Sequence, residues 1–284
     1  MGKSFKRIGI LHRSDRKEAR EFSKKTADWL TAKDCEVFSI LSPIPKVRQA
    51  KALGDLDLIV VVGGDGTYLQ AVRLLQGRPV PVMGANFGHT GFLTETMAEE
   101  LFTVLEKALK GKASPQKRSM LSVTVKGKPK SKVDGWLALN DVVVERGANT
   151  HLIDLSVFLG EQLVTRFRAD GLIVATPTGS TAYNLSASGP IVHPEVPAVV
   201  VTPVAPHSLT ARSITLPDSE AITIRMHPSD RTALLMVDGQ NGGEVDSGHE
   251  IRIEKAADPH IMLSSTDYDY FERLNAKLQF GQRT

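Results

Sequence analysis

The chain has 284 residues, of which 41% are hydrophobic and 24% charged, so it has the length for two domains or one large one and the composition of a folded globular protein. Its single cysteine, Cys35, excludes an internal disulfide framework and a multi-cysteine zinc site. The net charge of +3 suits a small anionic substrate, but the basic residues do not form the concentrated stripe expected for nucleic acid. No apolar run approaches the ~18 residues of a membrane span, and no signal peptide is visible. We therefore expect a cytoplasmic protein with neither nucleic-acid nor membrane partners.

The first part of the chain alternates short apolar strands with amphipathic helices. Strands are predicted at residues 6–12, 36–41, 56–62 and 79–88, and helices at residues 18–33, 68–77 and 98–110. The strand at residues 56–62 is a continuous aliphatic run, which is typical of a strand buried on both faces. Alternation of this kind predicts a parallel α/β sheet over residues 1–112.

Helical periodicity disappears after residue 112. Short β-rich runs separated by turn residues predict an antiparallel sandwich or barrel over residues 113–260. The predicted strands are residues 121–125, 137–144, 152–159, 172–176, 198–202, 221–226, 233–237 and 251–254. The tail, residues 261–284, carries a short helical pattern at 269–280, and we expect it to pack back on the first domain.

The buried strand at residues 56–62 runs directly into a glycine turn, Gly63-Gly64-Asp65-Gly66-Thr67, and a helix follows. This order directs backbone N–H groups and the positive end of a helix at an anion, which predicts a phosphate-binding loop. Neither the P-loop motif nor the dinucleotide fingerprint is present. The alternative is a tight turn in which Asp65 or Thr67 caps the helix. The turn also contains a carboxylate, Asp65, which is unexpected beside a phosphate unless it handles a proton or a metal.

Three further stretches carry candidate functional groups. A glycine-rich segment at residues 84–91 ends the next strand, and we expect it beside the Asp65 turn because parallel strands end along one edge of their sheet. Asn140-Asp141 interrupts an apolar run, and residues 176–184 form a loop whose hydroxyls and amides suit ribose, phosphate or amide groups. The alternatives are a β-bulge for the first pair and a turn or helix cap for the loop.

The basic cluster at residues 126–132 is interpreted as a solvated hairpin tip.

Together these motifs resemble the NAD kinase family over nearly the whole chain. Gly63-Gly64-Asp65-Gly66-Thr67 resembles its G-G-D-G-[T/N] turn, and Asn86-Phe87-Gly88-His89-Thr90-Gly91-Phe92-Leu93 resembles its N-x-G-x-x-G-F-L segment. Asn140-Asp141 falls at its N-[E/D] pair, with Asp141 one methylene shorter than the glutamate of many members. The longest and most specific match is Asp170-Gly171-Leu172-Ile173-Val174-Ala175-Thr176-Pro177-Thr178-Gly179-Ser180-Thr181-Ala182-Tyr183, followed by Ser186-Ala187-Ser188-Gly189-Pro190.

The resemblance implies an α/β phosphate-donor domain, a β-rich NAD-binding domain and transfer of the γ-phosphoryl group of ATP, or of polyphosphate, to the adenosine 2′-hydroxyl of NAD. By resemblance Asp65 accepts the hydroxyl proton, and the phosphate loop is Gly63, Gly64, Gly66 and Thr67. Substrate contacts are implied for Asp65, Gly66, Asn140, Asp141, His151, Arg168, Asp170, Thr181, Ala182, Tyr183, Asn184, Leu185, Ser186 and Gln240. Mg²⁺ is expected to arrive bound to ATP rather than in a protein-held site, and a homodimer or homotetramer is implied. An arginine at position 168 resembles NAD⁺-preferring members rather than NADH kinases.

Two other functions fit part of this pattern. A lipid kinase shares the Gly-Gly-Asp-Gly turn, but it should carry an apolar acyl groove or a basic amphipathic face, and neither is visible. An NAD(P)-binding sensor would keep the pocket and lose the transfer, and its expected mark is replacement of Asp65, which is present. The sequence therefore predicts an NAD kinase.

Overall fold

The computed structural model describes residues 5–43, 54–87, 91–127, 134–147, 151–228, 232–264 and 269–279. These residues fall into two compact units. The first contains Met1–Lys117 together with His260–Thr284, and the second contains Arg118–Pro259. None of the described helices is long and apolar enough to cross a membrane.

The first unit is built on a parallel sheet flanked by helices. Its elements before the crossing to the second unit are β1 Arg7–Arg13, α1 Lys17–Thr31, β2 Glu36–Ser42, β3 Leu58–Val62, α2 Asp65–Leu75, β4 Val82–Asn86, β5 Thr96–Met97, α3 Leu101–Leu109 and β6 Ser114–Arg118. The predicted strand at residues 79–88 is shortened to β4 because Pro79 and Pro81 have no N–H group to donate to a ladder.

Strand β3 lies at the centre of this sheet, and all five of its residues are buried. It pairs in parallel with β1 on one side and with β4 on the other, and β1 pairs in parallel with β2. Since parallel strands end along one edge, the residues that follow β3 and β4 lie together: the Gly63 N–H donates to the Ala85 carbonyl oxygen at 2.9 Å. The predicted parallel sheet is confirmed.

The second unit is almost entirely β-structure. Its elements are β7 Leu121–Lys126, β8 Asp134–Ala138, β9 Asp141–Glu145, β10 Ile153–Leu159, β11 Gln162–Ala169, β12 Gly171–Ala175, a 3-10 turn Thr178–Thr181, α4 Tyr183–Ser186, β13 Ala198–Val204, β14 Ile214–Pro217, β15 Ile222–Met226, β16 Ala233–Val237, β17 Gln240–Val245 and β18 Glu250–Lys255. Helix α4 is a single turn at the end of the loop for which a helix cap was the alternative interpretation.

These strands form two six-stranded sheets. One has the order β11-β10-β15-β18-β7-β8 and the other β14-β13-β12-β9-β16-β17, with antiparallel pairing throughout the described ladders. Buried aliphatic residues of both sheets share one core, such as Leu155 and Ile253 from the first sheet and Val144 and Leu172 from the second. This arrangement is the predicted sandwich.

The prediction of one continuous strand at residues 137–144 is wrong. Strand β8 belongs to the first sheet and β9 to the second, and the chain bends between them at Leu139 and Asn140. The bend is stabilised by the carboxylate of Asp238, which accepts hydrogen bonds from the N–H groups of Leu139 and Asn140 at 2.8 Å each. The polar pair that interrupts the apolar run is therefore the point at which the chain changes sheets.

The C-terminal part of the chain returns to the first unit. Strand β19, His260–Ser264, joins the parallel sheet beside β4, and helix α5 spans Tyr270–Leu278. Asp269 caps this helix, because its side chain accepts hydrogen bonds from the N–H groups of Phe271 and Glu272. The predicted returning helix is confirmed, although Phe280 lies outside the described residues.

Candidate active site

The glycine turn lies between β3 and α2, as predicted. Gly63 has φ of 157°, and a Cβ atom there would lie 2.8 Å from Thr67 Oγ1, so only glycine fits without a shift of the helix start. A Cβ at Gly64 or Gly66 would meet no atom within 4 Å. The turn is therefore open on the side from which a ligand can approach the first turn of α2.

A cleft of about 760 Å³ adjoins this turn in the first unit. It is bounded by the glycine turn, the start of α1 and the end of β4. Two arginines, Arg13 and Arg16, line the cleft. Arg13 donates a hydrogen bond to Asp15, and this bond raises the pKa of Arg13 and lowers the pKa of Asp15. Arg16 is exposed and has no ion pair with any residue that the structure describes. Cationic groups beside a helix N-terminus make this cleft suitable for phosphate groups.

The carboxylate of Asp65 is held by the loop that follows β4. Its Oδ1 accepts hydrogen bonds from the N–H groups of Leu93 and Thr94, at 3.1 and 3.0 Å, and from Thr94 Oγ1 at 2.9 Å. Its Oδ2 accepts one from the Phe92 N–H at 2.9 Å. Gly91 packs so closely that a Cβ there would lie 1.8 Å from Asp65 Oδ1. The expected contact between the Asp65 turn and the end of the next strand is present, although Gly88, His89 and Thr90 are outside the described residues.

A second aspartate, Asp238, organises the polar cluster of the second unit. It sits in the turn between β16 and β17 with φ of 46°, and 7% of its surface is exposed. Its carboxylate accepts the N–H groups of three consecutive residues, Leu139, Asn140 and Asp141, at 2.8, 2.8 and 3.1 Å. The Asp238 N–H donates in turn to the Asp141 carbonyl oxygen at 3.0 Å. Asp238 thus fixes the backbone of the predicted Asn140-Asp141 pair.

The side chains of Asn140 and Asp141 remain available for a ligand. Neither side chain has a hydrogen-bond partner among the residues that the structure describes, and Asp141 is only 5% exposed. Burial, and after it the negative charge of Asp238, raises the pKa of Asp141 to about 7.

The loop after β12 is folded against this cluster. Thr176 Oγ1 donates to the Leu139 carbonyl oxygen at 2.6 Å, and the Thr176 N–H donates to the Asn140 carbonyl oxygen at 2.8 Å. A Cβ at Gly179 would lie 2.0 Å from that same Asn140 oxygen. The loop therefore packs directly on the backbone of the pair that Asp238 positions.

Within this loop the predicted contact residues divide by exposure. Asn184 is fully buried: its Nδ2 donates hydrogen bonds to the carbonyl oxygens of Ser180 and Pro190, and its Oδ1 accepts one from Thr202 Oγ1. Its side chain therefore stabilises the loop. The surface is formed instead by Thr181, Ala182, Tyr183, Leu185 and Ser186, all of which are at least partly exposed. Burial raises the pKa of Tyr183, with smaller contributions from the charges of Glu145, Asp141 and Asp170.

The remaining predicted contacts lie on strands or turns of the second unit. Asp170 forms an ion pair with Arg146, with 2.6 Å between Oδ1 and Nε. Arg168 is exposed, and its Nε lies 3.8 Å from Asp154 Oδ1. Gln240 is exposed at the start of β17, two residues after Asp238, and His151 is exposed just before β10. No hydrogen bond or ion pair among the described residues joins Arg168 or His151 to the Asn140-Asp141 cluster.

The positioning role of several residues is not predictable from the sequence motifs. Asp238 and Thr176 hold the Asn140-Asp141 backbone, and Thr94 with its neighbours holds Asp65. Nothing local distinguishes Asp238-Gly239 from an ordinary hairpin turn. Across the residues described, no group of three or more His, Cys, Asp or Glu side chains is arranged to hold a metal ion.

The first unit therefore carries a strand–glycine-turn–helix motif with a carboxylate at the head of the helix, and the second carries a polar cluster on its β-sandwich. Two family models match the chain: the ATP-NAD kinase N-terminal domain over residues 42–113 and the ATP-NAD kinase C-terminal domain over residues 139–263. The chain belongs to the NAD kinase family, as the motifs predicted.

Individual relatives agree with this assignment. The NAD kinase of Bdellovibrio bacteriovorus is 42% identical over 97% of this chain and 92% of its own, and that of Geotalea daltonii is 38% identical over 98% and 100%. Among solved structures, yeast NADH kinase complexed with NADH gives a TM-score of 0.88 at 29% identity, covering 99% of this chain and 90% of that one. An NAD kinase from Archaeoglobus fulgidus in complex with ATP gives 0.77 at 26% identity, covering 96% and 98%.

Proposed function

We propose that this protein transfers the γ-phosphoryl group of ATP to the adenosine 2′-hydroxyl of NAD, with Asp65 as the residue that accepts the hydroxyl proton. The observation that carries the proposal is the position of the Asp65 carboxylate, which four hydrogen bonds hold at the first turn of α2. The names of the relatives and the ATP and NADH complexes of two structural neighbours support the choice of substrates.

The phosphate donor occupies the cleft beside the glycine turn. Backbone N–H groups of the first turn of α2, near Gly64 and Gly66, face the donor phosphates, and Arg16 adds positive charge at the same cleft. Mg²⁺ bound to the donor ATP would neutralise charge on the transferring phosphoryl group. Polyphosphate presents the same chemistry to this cleft and is the alternative donor.

In the transfer, the 2′-oxygen forms a bond to the γ-phosphorus, the bond from that phosphorus to the β,γ-bridging oxygen breaks, and ADP leaves. The 2′-hydroxyl proton passes to Asp65. Oδ2 of Asp65 accepts a single hydrogen bond, from Phe92, so it is the oxygen with capacity for the substrate hydroxyl. Phosphoryl transfer passes through a loose transition state, so the main task of Asp65 is to orient the hydroxyl.

NAD is bound by the polar cluster of the second unit, with residues 1–112 serving the phosphate donor and residues 113–260 serving NAD. Asn140 and Asp141 have buried or half-buried polar groups without protein partners in the described structure, which suits hydrogen bonding to the dinucleotide. The exposed residues Thr181, Ala182, Tyr183, Leu185 and Ser186, with Asp170, Arg168, His151 and Gln240, complete the proposed surface. We place the protein in the cytoplasm as a homodimer or homotetramer.

The test is the formation of NADP from NAD and Mg·ATP, detected with an NADP-specific dehydrogenase, by the wild type and by Asp65→Asn. We expect the wild type to form NADP and Asp65→Asn to lose a factor of about 100 or more in kcat. Asp28→Asn, at an exposed position of α1, makes the same chemical change away from the cleft and should leave kcat unchanged.

Three outcomes would revise the proposal. Full turnover by Asp65→Asn would show that Asp65 is not the proton acceptor, although the protein would still be a kinase. If the wild-type protein binds NAD and forms NADP only with polyphosphate, the donor is polyphosphate rather than ATP. Wild-type protein that binds NAD and forms no NADP with either donor would identify a sensor rather than a kinase.

A further inference from the structure

The C-terminal helix contacts both ends of the loop that holds Asp65. Arg273 Nη1 lies 2.9 Å from Glu95 Oε1, and Lys277 Nζ lies 4.3 Å from the centre of the Phe92 ring. Arg273 and Lys277 are four residues apart on α5, so the two cations lie on the same face of the helix. Phe92 is the first residue of the segment whose N–H groups bind Asp65, and Glu95 directly follows its last residue, Thr94.

The Arg273–Glu95 contact is largely excluded from solvent. The Glu95 side chain is 4% exposed and that of Arg273 is 17% exposed. The two side chains form a close ion pair. Loss of the cation from a buried ion pair is strongly unfavourable, because it reduces the charge compensation of the carboxylate that remains. The position of Glu95 is therefore tied to the position of α5.

Glu95 is joined directly to the Asp65-binding segment. Thr94, the preceding residue, is fully buried and gives Asp65 two of its four hydrogen bonds, from its N–H and its hydroxyl. The following residue, Thr96, pairs with Ala85 of β4. The Gly91 N–H donates to the Thr94 carbonyl oxygen at 3.2 Å and closes the loop. Because Glu95 is bonded directly to Thr94, a displacement of Glu95 also moves Thr94 and the Asp65 carboxylate that Thr94 holds.

We propose that Arg273 is a positioning residue for the phosphoryl transfer, which acts through Glu95 and the loop Phe92-Leu93-Thr94 to set the orientation of the Asp65 carboxylate. Lys277 supports the other end of the loop through the Phe92 ring. This inference rests on the proposed role of Asp65. It gives the C-terminal helix a function in the kinetics of transfer in addition to its contribution to the fold.

The test compares Arg273→Met and Arg273→Lys in the wild-type and Asp65→Asn backgrounds. We expect Arg273→Met to lower kcat by about tenfold or more, while KM for NAD and for ATP changes by less than about threefold, because the loss is confined to the transition state. Arg273→Lys keeps the cation and should recover most of kcat. In the Asp65→Asn background, Arg273→Met should cause no further loss, since the group that it positions is already absent.

A double variant protects the test against loss of folding. Arg273→Met with Glu95→Gln removes the ion pair without leaving a buried charge, and it should show the same fall in kcat in a protein whose melting temperature is retained. Asn275→Ala, at an exposed position of the same helix, is the matched control and should leave kcat unchanged.

The outcomes separate this inference from the proposed function. Unchanged kcat in folded Arg273→Met, or an equal fractional loss in both backgrounds, overturns the role of Arg273 even when Asp65→Asn is inactive. Wild-type turnover by Asp65→Asn alone overturns the role of Asp65, and with it any positioning effect that passes through this carboxylate.

Discussion

Each unit of the molecule contains an aspartate that accepts the N–H groups of three consecutive residues. In the first unit Asp65 binds Phe92, Leu93 and Thr94, and in the second Asp238 binds Leu139, Asn140 and Asp141. A glycine packs against each arrangement, Gly91 against Asp65 and Gly179 against the Asn140 carbonyl oxygen.

The two arrangements differ in what surrounds the carboxylate. Asp65 is half-buried at the head of a helix, beside an open cleft, and one of its oxygens has capacity for another donor. Asp238 is buried in a hairpin turn, and the effect of its charge falls on Asp141. In the proposed function, the same hydrogen-bond pattern therefore serves chemistry at Asp65, beside the open cleft, and positions neighbouring residues at Asp238, which is enclosed.

The largest effect is expected from Asp238→Ala, which leaves three N–H groups without their acceptor. Each unsatisfied buried donor costs about 1–3 kcal/mol, so we expect the free energy of unfolding to fall by about 3 kcal/mol or more. Urea denaturation at pH 7 measures this, with Asp258→Ala as a control at an exposed turn of the same unit. Wild-type stability in Asp238→Ala would show that the three hydrogen bonds do not hold the bend between the two sheets.

The pKa of Asp141 predicts a specific dependence of stability on pH. Because this pKa is raised to about 7 in the folded protein, the folded state holds a proton that the unfolded state releases near pH 4, so stability falls as pH rises through this window and levels off above 7. Between pH 5 and pH 8 the wild type should lose about 2–3 kcal/mol more than Asp141→Asn. Chemical denaturation at both values measures the difference, and parallel pH profiles for the two proteins would contradict it.

Gly91→Ala tests how closely the Asp65 carboxylate must be held. The new methyl carbon would lie 1.8 Å from Asp65 Oδ1, which is a steric clash, so the carboxylate has to move. We expect this displacement to lower kcat by about 10- to 100-fold. The paired substitution Gly179→Ala meets the Asn140 backbone instead and should raise KM for NAD more than it lowers kcat. Steady-state kinetics of both variants decide this, and a rise in KM alone for Gly91→Ala would be inconsistent with the account.

The smallest effect is expected at Arg168. This side chain is exposed and makes a long contact with Asp154, so its electrostatic influence is weak. Arg168 resembles the arginine of NAD⁺-preferring enzymes, so we predict that Arg168→Gly shifts the ratio of kcat/KM for NAD⁺ and NADH towards NADH. The expected shift is about a few-fold, which matches the small interaction energy of a surface charge. Arg166→Gly, two residues earlier on the same face of β11, is the control, and an unchanged ratio in Arg168→Gly would reject the prediction.

The first unit was predictable because its signals are local. A fully apolar strand followed by a glycine turn indicates a buried parallel strand, and parallel strands must end along one edge of the sheet. These two facts were enough to place the segment after β4 beside Asp65. The identity of the donors, Phe92, Leu93 and Thr94, depends on the backbone path of that segment, which sequence periodicity does not record.

The second unit was less predictable because its key contacts join distant residues. Asp238 is 97–99 residues away from the N–H groups that it binds, so the apolar run before and after Asn140 was interpreted as one strand. Strand β11 was missed because it lies at a sheet edge and alternates weakly, and β17 because its centre is Gly242-Gly243. The inward orientation of Ser180 and Asn184 likewise follows from tertiary packing, whereas their polarity alone suggested a ligand.

The most direct test of the difference between the two aspartates is the dissociation constant of NAD for Asp65→Asn and Asp238→Asn, measured by isothermal titration calorimetry on folded protein. If Asp65 acts in transfer and Asp238 positions the NAD-binding pair, Asp65→Asn should bind NAD within about threefold of the wild type, while Asp238→Asn should bind about tenfold or more weakly, a loss of ~1.4 kcal/mol or more. Wild-type affinity in Asp238→Asn, or loss of NAD binding in Asp65→Asn, would contradict this division of roles.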